Sequence, residues 1–199
     1  MTEPIFFYDF SSPYSYLAAN RVDDVLPVPV RWQPILFGGL IRAIGKEPWS
    51  WQQGPARDER MRECEQRAGA LGLTLSWPRD WPKGTYSILV LRAALVAAEL
   101  GRLREFSLAA YRAGLGLGRD LTELDVVLDV ADQAGVDRVA VAEGVQTASI
   151  KERLRAATDA ARELGVTGVP TVAVGDELFW GDDRLEAAAA AIVARSADA

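Results

Sequence analysis

The chain begins with a short, largely apolar run, IFFYDF over residues 5–10, cut off by Ser-Ser-Pro. Its length and the abrupt break predict a buried strand. Beyond Pro13 the apolar residues Tyr16, Leu17, Ala19, Val22, Val25 and Leu26 recur near helical spacing. In VPVRWQPIL, Val28, Val30 and Trp32 then alternate up to Pro34, which is the period of a strand. Strand, helix and strand in this order predict a β-α-β opening with a parallel pair.

From about residue 37 to 165 nearly every segment reads as helix. ARDERMRECEQRAGALG is amphipathic and stops at a glycine, whereas SILVLRAALVAAELG is apolar nearly all round and is expected to be buried. LTELDVVLDVADQAG opens on a Thr-x-x-Asp capping pattern at Thr122 and Asp125, and SIKERLRAATDAARELG runs from a serine to Gly165. The pattern then returns to strands. PTVAV and ELFW, separated by Gly175 and Asp176, read as a hairpin, and DDRLEAAAAAIVA closes the chain as a helix with acidic residues in its first turn. The expectation is an α/β fold of order βαβ, helical insertion, ββα. Residues 1–36 and 166–199 would form one discontinuous unit and 37–165 an inserted helical unit.

Composition removes several chemistries. The 199 residues include no histidine and one cysteine, Cys64. An intrachain disulfide, a Cys-x-x-Cys redox pair, a thiolate zinc site and Ser-His-Asp or Cys-His catalysis are therefore excluded. A net charge of −6 without a basic stripe speaks against nucleic-acid and membrane partners. The first residues lack a basic segment followed by an apolar stretch of roughly 7–15 residues. No run reaches the about 18 apolar residues of a membrane span, so a cytoplasmic protein is expected.

Three stretches hold candidate chemistry. In SSPYSY, Ser12 reads as a helix N-cap with Pro13 in the first helical position, and a hydroxyl beside unpaired amides also suits an anion such as a thiolate. In GVPT, Pro170 reads as the start of a strand; a cis bond there would offer the main chain of Val169 to an extended peptide. In FWGDDRLE, Asp182 and Asp183 either cap the last helix or grip the ammonium of an α-amino acid group whose carboxylate meets nearby amides. Cys64, inside an amphipathic helix, reads as an inert or partly buried thiol. Trp49 and Trp51 read as part of a loop over a pocket or as plain packing.

DFSSPYSYLA, the helical stretch, and then GVTGVPTVAVGDELFWGDDRLE together resemble the 2-hydroxychromene-2-carboxylate isomerase family and the kappa-class glutathione transferases, within the DsbA-like thioredoxin-fold group. The resemblance implies a thioredoxin-like fold, glutathione as cofactor, a small-molecule substrate and a homodimer. It places Ser12 near the glutathione sulfur, Val169 and a cis Pro170 on its cysteinyl part, and Asp182 and Asp183 on its γ-glutamyl end. The implied reaction is reversible addition of the thiolate to a conjugated enone acid, with Lys46, Arg57 or Arg60 receiving the substrate carboxylate. Where the family commonly carries Asn, Tyr and Asp, this chain has Lys46, Arg60 and Cys64. A kappa-like transferase or peroxidase and a non-catalytic peptide-binding module remain open alternatives; a dithiol oxidoreductase would need cysteines where Ser12 and Ser15 stand.

Overall fold

The computed structural model describes residues 3–79, 81–82 and 86–197. Strand β1 (Ile5–Tyr8) leads into helices α1 (Pro13–Ala19) and α2 (Val22–Val25), then strand β2 (Arg31–Pro34). The α-helices α3 (Phe37–Ala43), α4 (Pro55–Ala70), α5 (Ile88–Glu99), α6 (Leu103–Tyr111), α7 (Leu124–Gln133), α8 (Arg138–Gly144) and α9 (Ala148–Glu163) follow. Strands β3 (Thr171–Val174) and β4 (Glu177–Trp180) and helix α10 (Leu185–Ala197) complete the order. This is a thioredoxin-like βαβ and ββα arrangement with a large helical insertion.

The sheet order is β2-β1-β3-β4. β1 runs parallel to β2, with Tyr8 opposite Pro34, and antiparallel to β3, with Phe7 opposite Thr171. β4 is antiparallel to β3 and sets Trp180 opposite Thr171. The pairing brings the segments 9–12, 35–37, 167–170 and 181–183 to one end of the sheet.

Alternation along β1 divides the core. Phe6 and Tyr8 face a large cluster shared with α5, α6, α7 and α9, whereas Phe7 packs with Ile35, Leu40, Ala161 and Val166 on the opposite face. An aromatic stack threads the first cluster: Tyr8 lies 5.3 Å from Phe6, 5.5 Å from Phe10 and 6.1 Å from Tyr111, centroid to centroid. As its apolar circumference predicts, α5 is buried over most of its length, from Val90 through Ala97 apart from Arg92.

Several boundaries differ from the sequence expectation for identifiable reasons. β1 stops at Tyr8 because the Asp9 side chain accepts the Ser11 amide at 2.8 Å and folds the chain into a turn. The first helix is interrupted after Ala19, where Asn20 Nδ2 donates to the Tyr16 carbonyl at 2.8 Å. β2 starts only at Arg31, since Pro27 and Pro29 have no amide to give a ladder; Val28 and Val30 still pack on the core. Thr122 does not cap α7: its amide and hydroxyl both donate to Asp120 Oδ1, at 2.8 and 2.7 Å, and Glu123 precedes the helix without a side-chain cap. Thr147 rather than a serine caps α9, accepting the Ile150 amide at 3.3 Å.

Candidate functional site

Where the four strand ends meet, a cleft of about 900 Å³ opens between the sheet end and α4. Ser12 lies at its base, 8% exposed. Its main chain is extended (φ −92°, ψ 118°), Pro13 takes the first helical position, and Oγ accepts the Ser15 amide at 3.2 Å. The same hydroxyl donates to the Val169 carbonyl at 3.4 Å, across 157 positions of sequence.

The peptide bond between Val169 and Pro170 is cis. Its surroundings are held from both sides: the Thr171 hydroxyl donates to the Gly168 carbonyl at 2.8 Å, and the Gly181 amide to the Pro170 carbonyl at 3.0 Å. Gly181 has φ 122°, which favours glycine, and a Cβ at Gly168 would lie 2.4 Å from Trp180 Nε1. The two glycines let β4 and its exit turn close against the proline segment.

The paired aspartates separate into different roles. The Asp182 side chain is buried and its Oδ2 accepts from Arg67 Nη2 at 2.5 Å. Burial pushes this carboxyl up to about 6 while Arg67 pulls it back. Asp183 is exposed, lines the cleft, and makes no ion pair among the described residues. Of the two aspartates, Asp183 is therefore the one open to a ligand cation.

On α4 the spacing of Arg57, Arg60, Cys64 and Arg67 puts all four on one face. That face meets an aromatic series, with Tyr14 at 6.0 Å from Trp49 and Trp49 at 5.7 Å from Trp81. The guanidinium carbons of Arg67, Arg60 and Arg57 lie 5.8, 5.8 and 5.6 Å from the rings of Tyr14, Trp49 and Trp81 respectively. Arg60 and the exposed Lys46 line the cleft; Arg57 does not, and its Nε donates to the Ser50 carbonyl at 3.0 Å. Arg57 thus clamps the loop bearing Trp49 and Trp51, both of which line the cleft. Cys64 is fully buried; burial pushes its thiol up to about 11, with a hydrogen bond to Tyr14 acting the other way.

Tyr14, Arg42, Arg67 and Trp81 also belong to this wall. The three-and-four spacing on α4 carries a signal for Arg67, and Tyr14 stands inside SSPYSY. Nothing in the local pattern marks Arg42 or Trp81.

A sheet of this order, a Ser-Pro helix start after β1 and a cis proline leading β3 define a thioredoxin-fold protein with a helical insertion. Residues 5–193 match the DSBA-like thioredoxin domain, and the chain belongs to that family. It is 29% identical over 191 residues to the 2-hydroxychromene-2-carboxylate isomerase of Sphingobium xenophagum, covering 94% of this chain and 96% of that protein. Human glutathione S-transferase kappa 1 is 26% identical over 196 residues, covering 90% of this chain and 86% of that one. A solved 2-hydroxychromene-2-carboxylate isomerase superposes with a TM-score of 0.84 at 26% identity over 99% of this chain and 98% of the other. Among the described residues no helix is long and apolar enough to cross a membrane.

Proposed function

We propose that the protein is a glutathione-dependent isomerase of the 2-hydroxychromene-2-carboxylate isomerase type, acting on an aromatic or conjugated enone acid. The observation that carries this reading is the meeting of the Ser12 hydroxyl with the Val169 carbonyl, 3.4 Å apart at the base of the cleft. A peptide laid along the Val169 main chain has its side chain beside that hydroxyl. The residues present fit glutathione in charge: Asp183, exposed in the cleft, would hold the γ-glutamyl ammonium. When bound, glutathione would supply a nucleophilic sulfur for reversible addition to the enone.

The protein's part is to hold, ionise and orient. The Ser12 proton, only loosely engaged at 3.4 Å, turns from Val169 toward the sulfur. A hydrogen bond to a charged acceptor contributes about 1.5–3 kcal/mol, against the ~1.4 kcal/mol that each unit of depression below a thiol pKa near 8.5 requires. One to two units are within reach. The rings of Trp49 and Trp81, tilted 54° to one another, give the cleft an aromatic wall against which an aromatic substrate can pack, and Arg60 and Lys46 receive its carboxylate.

The test is turnover of 2-hydroxychromene-2-carboxylate with and without glutathione, alongside calorimetric binding of glutathione. The expected result is isomerisation that requires glutathione and is blocked by S-methylglutathione. Binding accompanied only by conjugation to an electrophilic aryl halide would favour a transferase, and no binding would overturn both readings.

A further inference from the structure

Asp9 is a carboxylic acid with no solvent exposure, placed directly beneath the cleft. Its Oδ1 accepts the Ser11 amide at 2.8 Å and the Ser11 hydroxyl at 2.9 Å, and its Oδ2 accepts the Phe37 amide at 2.8 Å. The Ser87 hydroxyl is also bonded to it. Ser87 precedes α5 in the N-cap position yet caps nothing with its side chain, so the hydroxyl is committed to Asp9 instead. Ser11, Phe37 and Ser87 all line the cleft. One buried carboxylate therefore ties together the β1 exit, the start of α3 and the start of α5.

The partners define what each protonation state does. An ionised carboxylate accepts from all four donors at once. A protonated one must donate its own O–H, and amides cannot accept it; only the hydroxyls of Ser11 and Ser87 can. Protonating Asp9 thus turns one of these hydroxyls around, so that its hydrogen points into the cleft. Among the described residues no lysine or arginine hydrogen-bonds or ion-pairs with the carboxylate. Titratable neighbours among the described residues include the buried phenols Tyr111 of α6, whose hydroxyl donates to the Asp9 main-chain carbonyl at 3.1 Å, and Tyr8 of β1, bonded to Ser107. Burial raises the acid above the usual carboxylate range, and the four donors oppose the rise.

We propose that Asp9 is a positioning residue of the glutathione site that receives, through the Ser11 hydroxyl, the proton lost when the bound thiol ionises. This rests on the glutathione reading above. The S–H bond breaks and its proton forms a new O–H bond on Ser11; the original Ser11 proton forms an O–H bond on Asp9 Oδ1. The negative charge passes from carboxylate to sulfur, and no proton enters solvent. Ser11 then donates to the thiolate alongside Ser12, while protonated Asp9 donates to Ser11.

The experiment counts protons against thiolates. Glutathione is titrated into the wild-type protein near neutral pH in buffers of different ionisation enthalpy, while thiolate absorbance is followed in the same samples. The expected result is a thiolate band with almost no proton released, together with a protonated-carboxyl band in the infrared difference spectrum. Asp9→Asn should lose the carboxyl band and release one proton for each thiolate it still forms. Ser11→Ala keeps the acid but breaks the path and should also release one, so the outcome does not depend on one variant folding. Wild-type protein that forms thiolate and releases a full proton, without the carboxyl band, overturns this proposal alone. Wild-type protein that shows no thiolate band with glutathione overturns the glutathione reading, and this proposal with it.

Discussion

At Ser12 one hydroxyl holds two places in the structure. Its oxygen caps α1 through the Ser15 amide, and its proton rests on the Val169 carbonyl at the long end of hydrogen-bonding distance. α1 has only seven residues, so in the proposed glutathione site the hydroxyl rather than the helix dipole would carry most of the thiolate stabilisation. Ser12→Ala removes the cap as well as the donor. It should lower the unfolding free energy by about 1 kcal/mol, read as a drop in the urea midpoint at constant slope. Cys64 makes the opposite point. A thiol raised from 9.0 to about 11 and fully buried carries roughly 100-fold less thiolate than an ordinary cysteine. Native protein should react with a chromogenic disulfide reagent at least that much more slowly than urea-unfolded protein; equal rates would contradict its burial.

At the scale of elements, α4 is joined to the turn before α10 by the Arg67–Asp182 pair, and the pair has a pH signature. Asp182 is raised from 3.8 to about 6, with burial outweighing Arg67. A raised carboxyl contributes stability that is fully present below its unfolded value and lost as pH rises through its folded one. The amount is at most about 3 kcal/mol. Wild-type Tm should therefore fall relative to Asp182→Asn between about pH 4 and pH 7, as thermal unfolding across that range would show. A gap that moves the other way contradicts the burial argument. Arg57, Arg60 and Cys64 of α4 were legible through the family resemblance, and with Arg67 they share one face at three-and-four spacing. The partners of that face were not, because Asp182 lies 115 positions from Arg67 and only the folded chain brings them together. Breaks at Asn20 and before Arg31 were missed because the apolar spacing continues through them, while a side-chain cap and two prolines decide the backbone.

For the whole molecule, the decisive event is the convergence of four strand ends. The order βαβ, helices, ββα could be read from periodicity, and SSPYSY, GVPT and FWGDDRLE each stood out. That these three share one cleft follows from the pairing β2-β1-β3-β4, a long-range arrangement that local pattern does not encode. Asp9 carries no local mark for the same reason: within IFFYDF it is one acid in an apolar run, and its burial depends on Phe37 and Ser87 arriving from elsewhere. The larger core cluster joins Phe6, Tyr8 and Val172 of the sheet to Leu91, Phe106, Val127 and Ile150 of the helices. Sheet and helices should therefore unfold as one unit, with far-ultraviolet dichroism and tryptophan fluorescence giving coincident transitions in urea. Phe106→Ala should shift both together by about 3–5 kcal/mol. Separated transitions would mean that the helical insertion holds its own core.

The proposed function has the fold ionise a borrowed thiol with a serine hydroxyl. It is tested most directly by titrating the thiolate absorbance of protein-bound glutathione against pH in wild type and Ser12→Ala. The wild-type midpoint should lie about one to two units below the ordinary thiol value near 8.5, with most of that shift lost in the variant. A wild-type midpoint at the free-thiol value, or the same lowered midpoint in both proteins, would contradict it.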